Sequence, residues 1–250
     1  MEPTESMNDN IIEVKSLTKR FGNFTAVNSI NFVVKRGEIL GFLGPNGAGK
    51  TTTIKMIIGL LRITEGEISV DGMDSGKFRK RIKEKLGYMS QKFSLYPKLS
   101  PRENVEFFAG ISGLGRAEIN KKIAELSGII RKDLIDHSVD KLPPGIKQKV
   151  ALFTSLIPEP EILLLDEPTS GVDPEMRRNF WQDIYSLKKE GKTILVTTHN
   201  LDEVEYADRI VILHRGNIIV EGEPAQLVRE HRVDSVETLF KEAVRKDERN

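Results

Sequence analysis

The chain has no cysteine, a single tryptophan and only 6% aromatic residues, and its 38 basic and 37 acidic side chains nearly cancel. Without thiols it forms neither disulfides nor thiolate metal sites, and it needs no oxidising compartment. A net charge of +1 gives no sign of nucleic acid or anionic lipid as the main partner. No apolar run approaches the roughly 18 residues that a membrane span needs. Residues Met1 to Asn10 are polar and acidic, unlike the basic-then-apolar pattern of a signal sequence. These absences lead to the expectation of a soluble cytoplasmic chain with a disordered tail over residues 1–10. At 250 residues it suits one large domain or two small ones. A globule of that size buries about three-quarters of its unfolded surface.

What the sequence does hold is a run of glycines in one telling place. Gly44-Pro45-Asn46-Gly47-Ala48-Gly49-Lys50-Thr51 fits a glycine, four residues, then Gly-Lys-Thr. A triphosphate needs several backbone N–H donors converging on its oxygens, and glycines let the backbone curl inward with no Cβ in the way. Lys50 would reach the β- and γ-phosphates, and Thr51 would offer its hydroxyl to Mg²⁺. The apolar run Ile39–Leu43 in front reads as a buried strand, and the segment from Thr52 to Ile58 behind reads as a helix. Strand, glycine loop and helix form the setting this motif requires, and the helix adds its positive end to the same spot.

Short strands are expected at 11–14, 30–34, 68–70 and 87–90, and a helix over 49–60. From 93 to 158 the periodicity turns helical, with Ser100-Pro101-Arg102-Glu103 reading as a capped helix start. Parallel-sheet runs return at 162–166 and 193–198 around a helix at 174–189, an α/β arrangement. A hairpin at 210–220 and two short amphipathic helices follow.

Ile162-Leu163-Leu164-Leu165 would deliver two carboxylates, Asp166 and Glu167, to the C-terminal edge of the sheet, where α/β folds place their ligands. Asp166 would hold Mg²⁺ through water, and Glu167 could polarise an attacking water. His199, after the strand ending at Thr198, could reach the γ-phosphate, and Gln91 could touch Mg²⁺ or the water. Phe21 could belong to the core or stack on adenine.

The ordered set resembles the nucleotide-binding subunit of an ABC transporter over essentially residues 11–230. The loop 44–51, Gln91, Asp166-Glu167-Pro168-Thr169, Ser170-Gly171-Val172-Asp173 and His199 match that family's Walker A, Q-loop, Walker B, D-loop and switch-histidine motifs. The resemblance implies a P-loop NTPase fold with a RecA-like α/β core, an N-terminal antiparallel β subdomain and a helical insertion. Its parts would be the core at 11–92 and 159–222, a helical subdomain at 93–158 and a C-terminal extension at 223–250. It implies ATP and Mg²⁺ as ligands. Phe21, Gly44, Pro45, Asn46, Gly47, Ala48, Gly49, Lys50, Thr51, Thr52 and Gln91 would bind the nucleotide. Thr51, Gln91 and Asp166 would serve the metal, and Glu167 and His199 would be catalytic.

It also implies a head-to-tail dimer with two shared ATP sites, a homodimer being favoured over a heterodimer. A separate membrane-spanning permease subunit would touch the helical insertion, through Phe93-Ser94-Leu95-Tyr96-Pro97, and the chain would sit on the inner face of the cell membrane. One stretch departs from the family pattern. Where the signature motif carries Leu-Ser-Gly-Gly-Gln, this chain has Leu142-Pro143-Pro144-Gly145-Ile146. Pro143 has no hydroxyl and neither proline has an N–H. Each charge-assisted hydrogen bond lost there would cost about 1.5–3 kcal/mol. Proline-containing signatures of this kind resemble the type 2 exporter branch. The expected function is therefore an ATPase driving export. The alternative is a soluble ABC-type ATPase acting on ribosomes or DNA, although the chain has one cassette and no basic extension.

Overall fold

The computed structural model describes residues 9–91 and 95–249. It opens with a long hairpin: β1 (Asn10–Phe21) pairs antiparallel with β2 (Phe24–Lys35). The polar stretch 15–29, expected as turns between two short strands, is strand throughout except for the tip at Gly22-Asn23. Its alternation is broken because Ser16 and Ser29 both take φ 47° and the register shifts between Val14 and Leu17. Each shift resets which residue points inward. The tail expected through Asn10 gives way to structure sooner: Asn10 opens β1, and the Arg36 N–H donates to the Asp9 carbonyl at 2.8 Å.

Next come β3 (Ile39–Leu43), α1 (Lys50–Ile57), β4 (Glu65–Val70) and β5 (Met73–Asp74). Strands β2-β1-β4-β5, in that order, make an antiparallel sheet. Helix α2 (Arg79–Lys85) leads into β6 (Leu86–Met89). No helix is read from the sequence here, since only Ile82 of its seven residues is buried. Helices α3 (Pro101–Ile111), α4 (Arg116–Ile129) and α5 (Pro144–Leu156) pack around Val105, Leu126, Val150 and Phe153. Ser100 and Glu103 cap α3 reciprocally. The buried Asn104 amide donates to the carbonyls of Tyr96 and Ser100 and accepts from the Tyr96 N–H, which pins the preceding loop.

The chain then returns to β7 (Ile162–Asp166), α6 (Pro174–Lys189), β8 (Thr193–Thr198), a 3-10 segment (Leu201–Tyr206), β9 (Arg209–His214) and β10 (Asn217–Gly222). Helices α7 (Pro224–His231) and α8 (Val236–Asp247) follow. The second sheet has the order β10-β9-β3-β8-β7-β6, parallel except for β10 at its edge. Both faces are covered, so the inner strands carry continuous apolar runs: residues 162–165 in β7, 194–196 in β8 and 210–213 in β9. Leu40, Phe42, Leu164, Leu195 and Val211 face the core shared with the antiparallel sheet and α1. Ile39, Leu43, Leu165, Val196 and Ile212 face the core shared with α5, α6 and the C-terminal helices. Each such side chain contributes about 1.5–3 kcal/mol by burial. Among the described residues, no helix is long and apolar enough to cross a membrane.

A charge cluster ties the two sheets at their far end. Lys85 lies 2.8 Å from Asp71 and 2.7 Å from Glu161, and Arg36 pairs with Asp71 as well. Hydrogen bonds from Lys85 and Arg36 hold the Asp71 carboxyl below its ordinary range. A carboxylate whose pKa falls on folding stabilises the fold above its unfolded value of about 3.9, and that contribution disappears as the pH drops through the folded pKa. Asp71 has φ 50°, a conformation asparagine also accepts. Asp71→Asn should therefore lower the denaturation midpoint at pH 7, and the gap from wild type should close as the solution is acidified. A gap of equal size at both pH values would show that packing, not charge, sets the effect.

Candidate active site

The C-terminal end of β3 runs straight into Gly44, and the glycine loop ends where α1 begins at Lys50. Gly49 caps that helix with φ 109°, a backbone conformation that a side chain would strain. The loop is also wedged: a Cβ at Gly44 would lie 2.3 Å from the Leu213 carbonyl oxygen, and one at Gly49 2.7 Å from that of Ala26. Pro45, Asn46 and Gly47 are exposed, Ala48 is buried, and Thr51 and Thr52 are half-buried. The Lys50 side chain folds back over its own loop. Its Nζ donates to the carbonyls of Gly44 at 2.7 Å and Pro45 at 3.2 Å, and lies 3.3 Å from Glu167 Oε1. Burial pushes the Lys50 ammonium below its ordinary range, while the Glu167 carboxylate pulls the other way.

Because β3, β8, β7 and β6 are neighbours in the parallel sheet, their C-terminal ends bring four separate segments together. Asp166, 1% exposed at the end of β7, accepts from Thr51 Oγ1 at 2.9 Å and from Thr197 Oγ1 at 2.7 Å. Glu167 turns away with φ 49° and donates its N–H to Thr197 Oγ1 at 2.9 Å. Its carboxylate collects the remaining groups. Oε2 accepts from Gln91 Nε2 at 2.7 Å and meets His199 Nδ1 at 3.1 Å. A carboxylate offers acceptors only, so Nδ1 carries the proton in that contact. Lys50, Gln91, Glu167 and His199 thus form one cluster, with Thr51 and Asp166 beside it.

Phe21 stands apart from this cluster at the tip of the β1–β2 hairpin. It is 49% exposed, and Lys19 Nζ lies 4.9 Å from its ring centroid. It is paired across the turn with Phe24, which is 64% exposed. In the loop before α3, Tyr96 is exposed and makes an edge contact with Phe107 at 4.6 Å, whereas Leu95 packs against two of the cores. Phe93 and Ser94 lie outside the described residues.

The stretch Leu142-Pro143-Pro144-Gly145-Ile146 forms the start of α5, with Pro143 at the cap and Pro144 first in the helix. The Pro143 carbonyl takes the N–H groups of both Ile146 and Lys147, at 3.0 and 3.1 Å. That leaves Gly145 as the donor of the first turn, and it is buried under Met176, whose sulfur would lie 2.7 Å from a Cβ there.

Two contributors are missing from the sequence reading. Thr197 joins both carboxylate residues, and the sequence signal for it is the pair Thr197-Thr198 that closes a strand with an aliphatic centre, Ile194-Leu195-Val196. Glu203, 0% exposed, accepts from Thr169 Oγ1 at 2.5 Å and Asn200 Nδ2 at 2.9 Å, and lies 3.2 Å from Arg177 Nε. It thereby links the segment after Glu167 to the one after His199.

Comparison with known proteins meets this geometry from a different direction. A Nod factor export ATP-binding protein I from Burkholderia lata is 38% identical over 221 residues, 87% of this chain and 72% of that protein. The probable multidrug ABC transporter ATP-binding protein YbhF of Escherichia coli is 52% identical over 221 residues, covering 88% of this chain. The match spans only 38% of YbhF's length. Among solved structures, the ATP-binding cassette MJ0796, dimeric in a post-hydrolysis state with ADP and Pi, superposes with a TM-score of 0.77 at 28% identity. That superposition covers 85% of this chain and 98% of the cassette. The family model described as ABC transporter matches residues 27–170. The match runs from the strand that backs the glycine loop, through the loop and both carboxylates, to Ser170. On fold, site and sequence together, the chain belongs to the ABC transporter family.

Proposed function

We propose that this chain is an ATP-binding and ATP-hydrolysing subunit that powers export through a separate membrane-spanning subunit. The observation that carries this reading is the convergence of Lys50, Gln91 and His199 on the single buried carboxylate of Glu167. Those groups have the chemistry of a phosphoanhydride hydrolase: a cation for phosphate oxygens, a base for water and two polar groups that can hold either. The loop fits a triphosphate, since Lys50 now satisfies its charge with two carbonyls and a carboxylate that phosphate oxygens can replace. The oxygen pair of Thr51 and Asp166, 2.9 Å apart, suits Mg²⁺, a hard cation held by oxygen. Bound there, Mg²⁺ would neutralise charge on the phosphates.

When Lys50 turns to the phosphates, it leaves Glu167. The freed carboxylate can then accept a proton from the attacking water while Gln91 and His199 hold the water and the γ-phosphate. Phe21, exposed at the hairpin tip, is offered to the adenine face. The core at 11–92 and 159–222 carries this chemistry. The helical part at 93–158 presents Tyr96 and Phe107 to the permease, and two copies of the chain pair head to tail. The names of the multidrug and Nod factor export relatives support transport out of the cell. The dimeric cassette structure supports pairing, and the chain would work at the cytoplasmic face of the membrane.

Two experiments test the reading. Glu167→Gln should keep ATP affinity within about twofold while turnover falls about 10²–10⁴-fold, the size of a general base's contribution. Wild-type turnover in that variant would rule out Glu167 as the base. Affinity capture from detergent-solubilised membranes should recover a multi-span protein, and Tyr96→Ala should reduce its yield. Recovery of ribosomes in its place would overturn the transport assignment.

A further inference from the structure

The C-terminal helix ends against the β9–β10 turn that lies behind the glycine loop. Strands β9 and β10 are joined by the two-residue turn Arg215-Gly216, with φ 47° and 82°, flanked by the pair His214 and Asn217. That turn is bound to the loop itself: the Gly216 N–H donates to the Ala48 carbonyl at 3.1 Å. It is bound to β2 as well, through the Asn28 N–H to the Gly216 carbonyl at 2.8 Å and Asn28 Nδ2 to Asn217 Oδ1 at 3.0 Å. Two residues before the turn, the Leu213 carbonyl is the atom that leaves no room for a Cβ at Gly44. The turn therefore holds one end of the segment 44–48, at Ala48, and the strand leading into it lies against the other, at Gly44.

Helix α8 grips this turn from outside. His214, 8% exposed, meets Asp247 Oδ2 through Nδ1 at 2.7 Å, and Arg215 lies 3.6 Å from Glu248. An acidic residue is disfavoured at a helix C-terminus, where the backbone carbonyls concentrate negative charge. Asp247 and Glu248 sit there regardless, the first paired with His214 at the end of β9 and the second with Arg215 on the turn. The opposite end of α8 is anchored separately, by Val236 and Leu239 in the core. Helix packing alone does not call for the acidic pair.

We infer that Asp247 and His214 are positioning residues for nucleotide binding, holding the Arg215-Gly216 turn against the glycine loop so that its N–H groups stay converged. The inference rests on the proposed triphosphate site and gives the C-terminal extension a part in it. Any partner that lifts the end of α8 would loosen the loop, and nucleotide binding would in turn favour the docked helix.

The test combines amide hydrogen exchange of the 44–49 segment in nucleotide-free protein with Mg-ADP titration. The variants are Asp247→Ala, Asp247→Asn and Lys241→Ala, the last removing the Glu237 pair on the same helix without touching the turn. Asp247→Ala should speed exchange at 44–49 and raise the Mg-ADP Kd about 3–10-fold, part of the loss of one charge-assisted hydrogen bond. Asp247→Asn keeps an acceptor for Nδ1 and should change Kd less than about twofold. Unchanged exchange at 44–49 in Asp247→Ala, or the same increase in Lys241→Ala, would overturn the inference and reduce the contact to ordinary helix packing. Exchange is read without nucleotide, so a wild-type chain that failed to bind Mg-ADP would count against the proposed function and leave this result legible.

Discussion

Everything in the site turns on a buried ion pair. Lys50 and Glu167 stand 3.3 Å apart with side chains 4% and 6% exposed. Taking two charges out of water costs several kcal/mol each, and only good geometry with further hydrogen bonds offsets that. The surrounding chain supplies those bonds: the Gly44 and Pro45 carbonyls to Lys50, and Gln91 and His199 to Glu167. Four adjacent parallel strands must end side by side for these groups to meet. The doubly covered sheet, with aliphatic side chains on both faces, fixes those ends. On the proposed function, the pair is the resting form of the site. A triphosphate replaces the carboxylate as the partner of Lys50, and the carboxylate becomes available to water.

Much of this was legible in the sequence because the motifs are local. The glycine loop, the strand-delivered carboxylates and the histidine after β8 each occupy a short run whose residue types have few alternative uses. What was not legible depended on distant contacts or on broken periods. The polar hairpin 15–29 hid its strands because bulges at Ser16 and Ser29 reset the alternation. Helix α2 offered one apolar residue, Ile82, which is too little for any period to show. Thr197 looked like one more β-branched strand residue. Only the sheet order shows that its hydroxyl lies between Asp166 and the Glu167 N–H. Glu203 follows Asp202 in a charged run that carries no sequence sign of burial, yet it is fully buried and bridges Thr169 and Asn200.

The signature stretch gains a physical description that the sequence only began. Two prolines remove a hydroxyl and two N–H groups, and the Pro143 carbonyl then engages the next amides of α5. The donor left over, Gly145, lies under Met176. On the proposed function, this chain keeps the groups that would grip its own phosphates and offers little to those of a neighbour. Turnover, more than affinity, is where that asymmetry would be felt. The C-terminal helix adds a second influence on the same loop from behind, through His214 and Arg215.

The most direct measurement is a crystal structure of the wild-type chain with Mg²⁺ and a non-hydrolysable ATP analogue. The account predicts Lys50 Nζ on β- and γ-phosphate oxygens, beyond ion-pair range of Glu167, whose carboxylate faces a water in line with the γ-phosphate. Nucleotide bound in the loop with Lys50 still paired to Glu167 would contradict it.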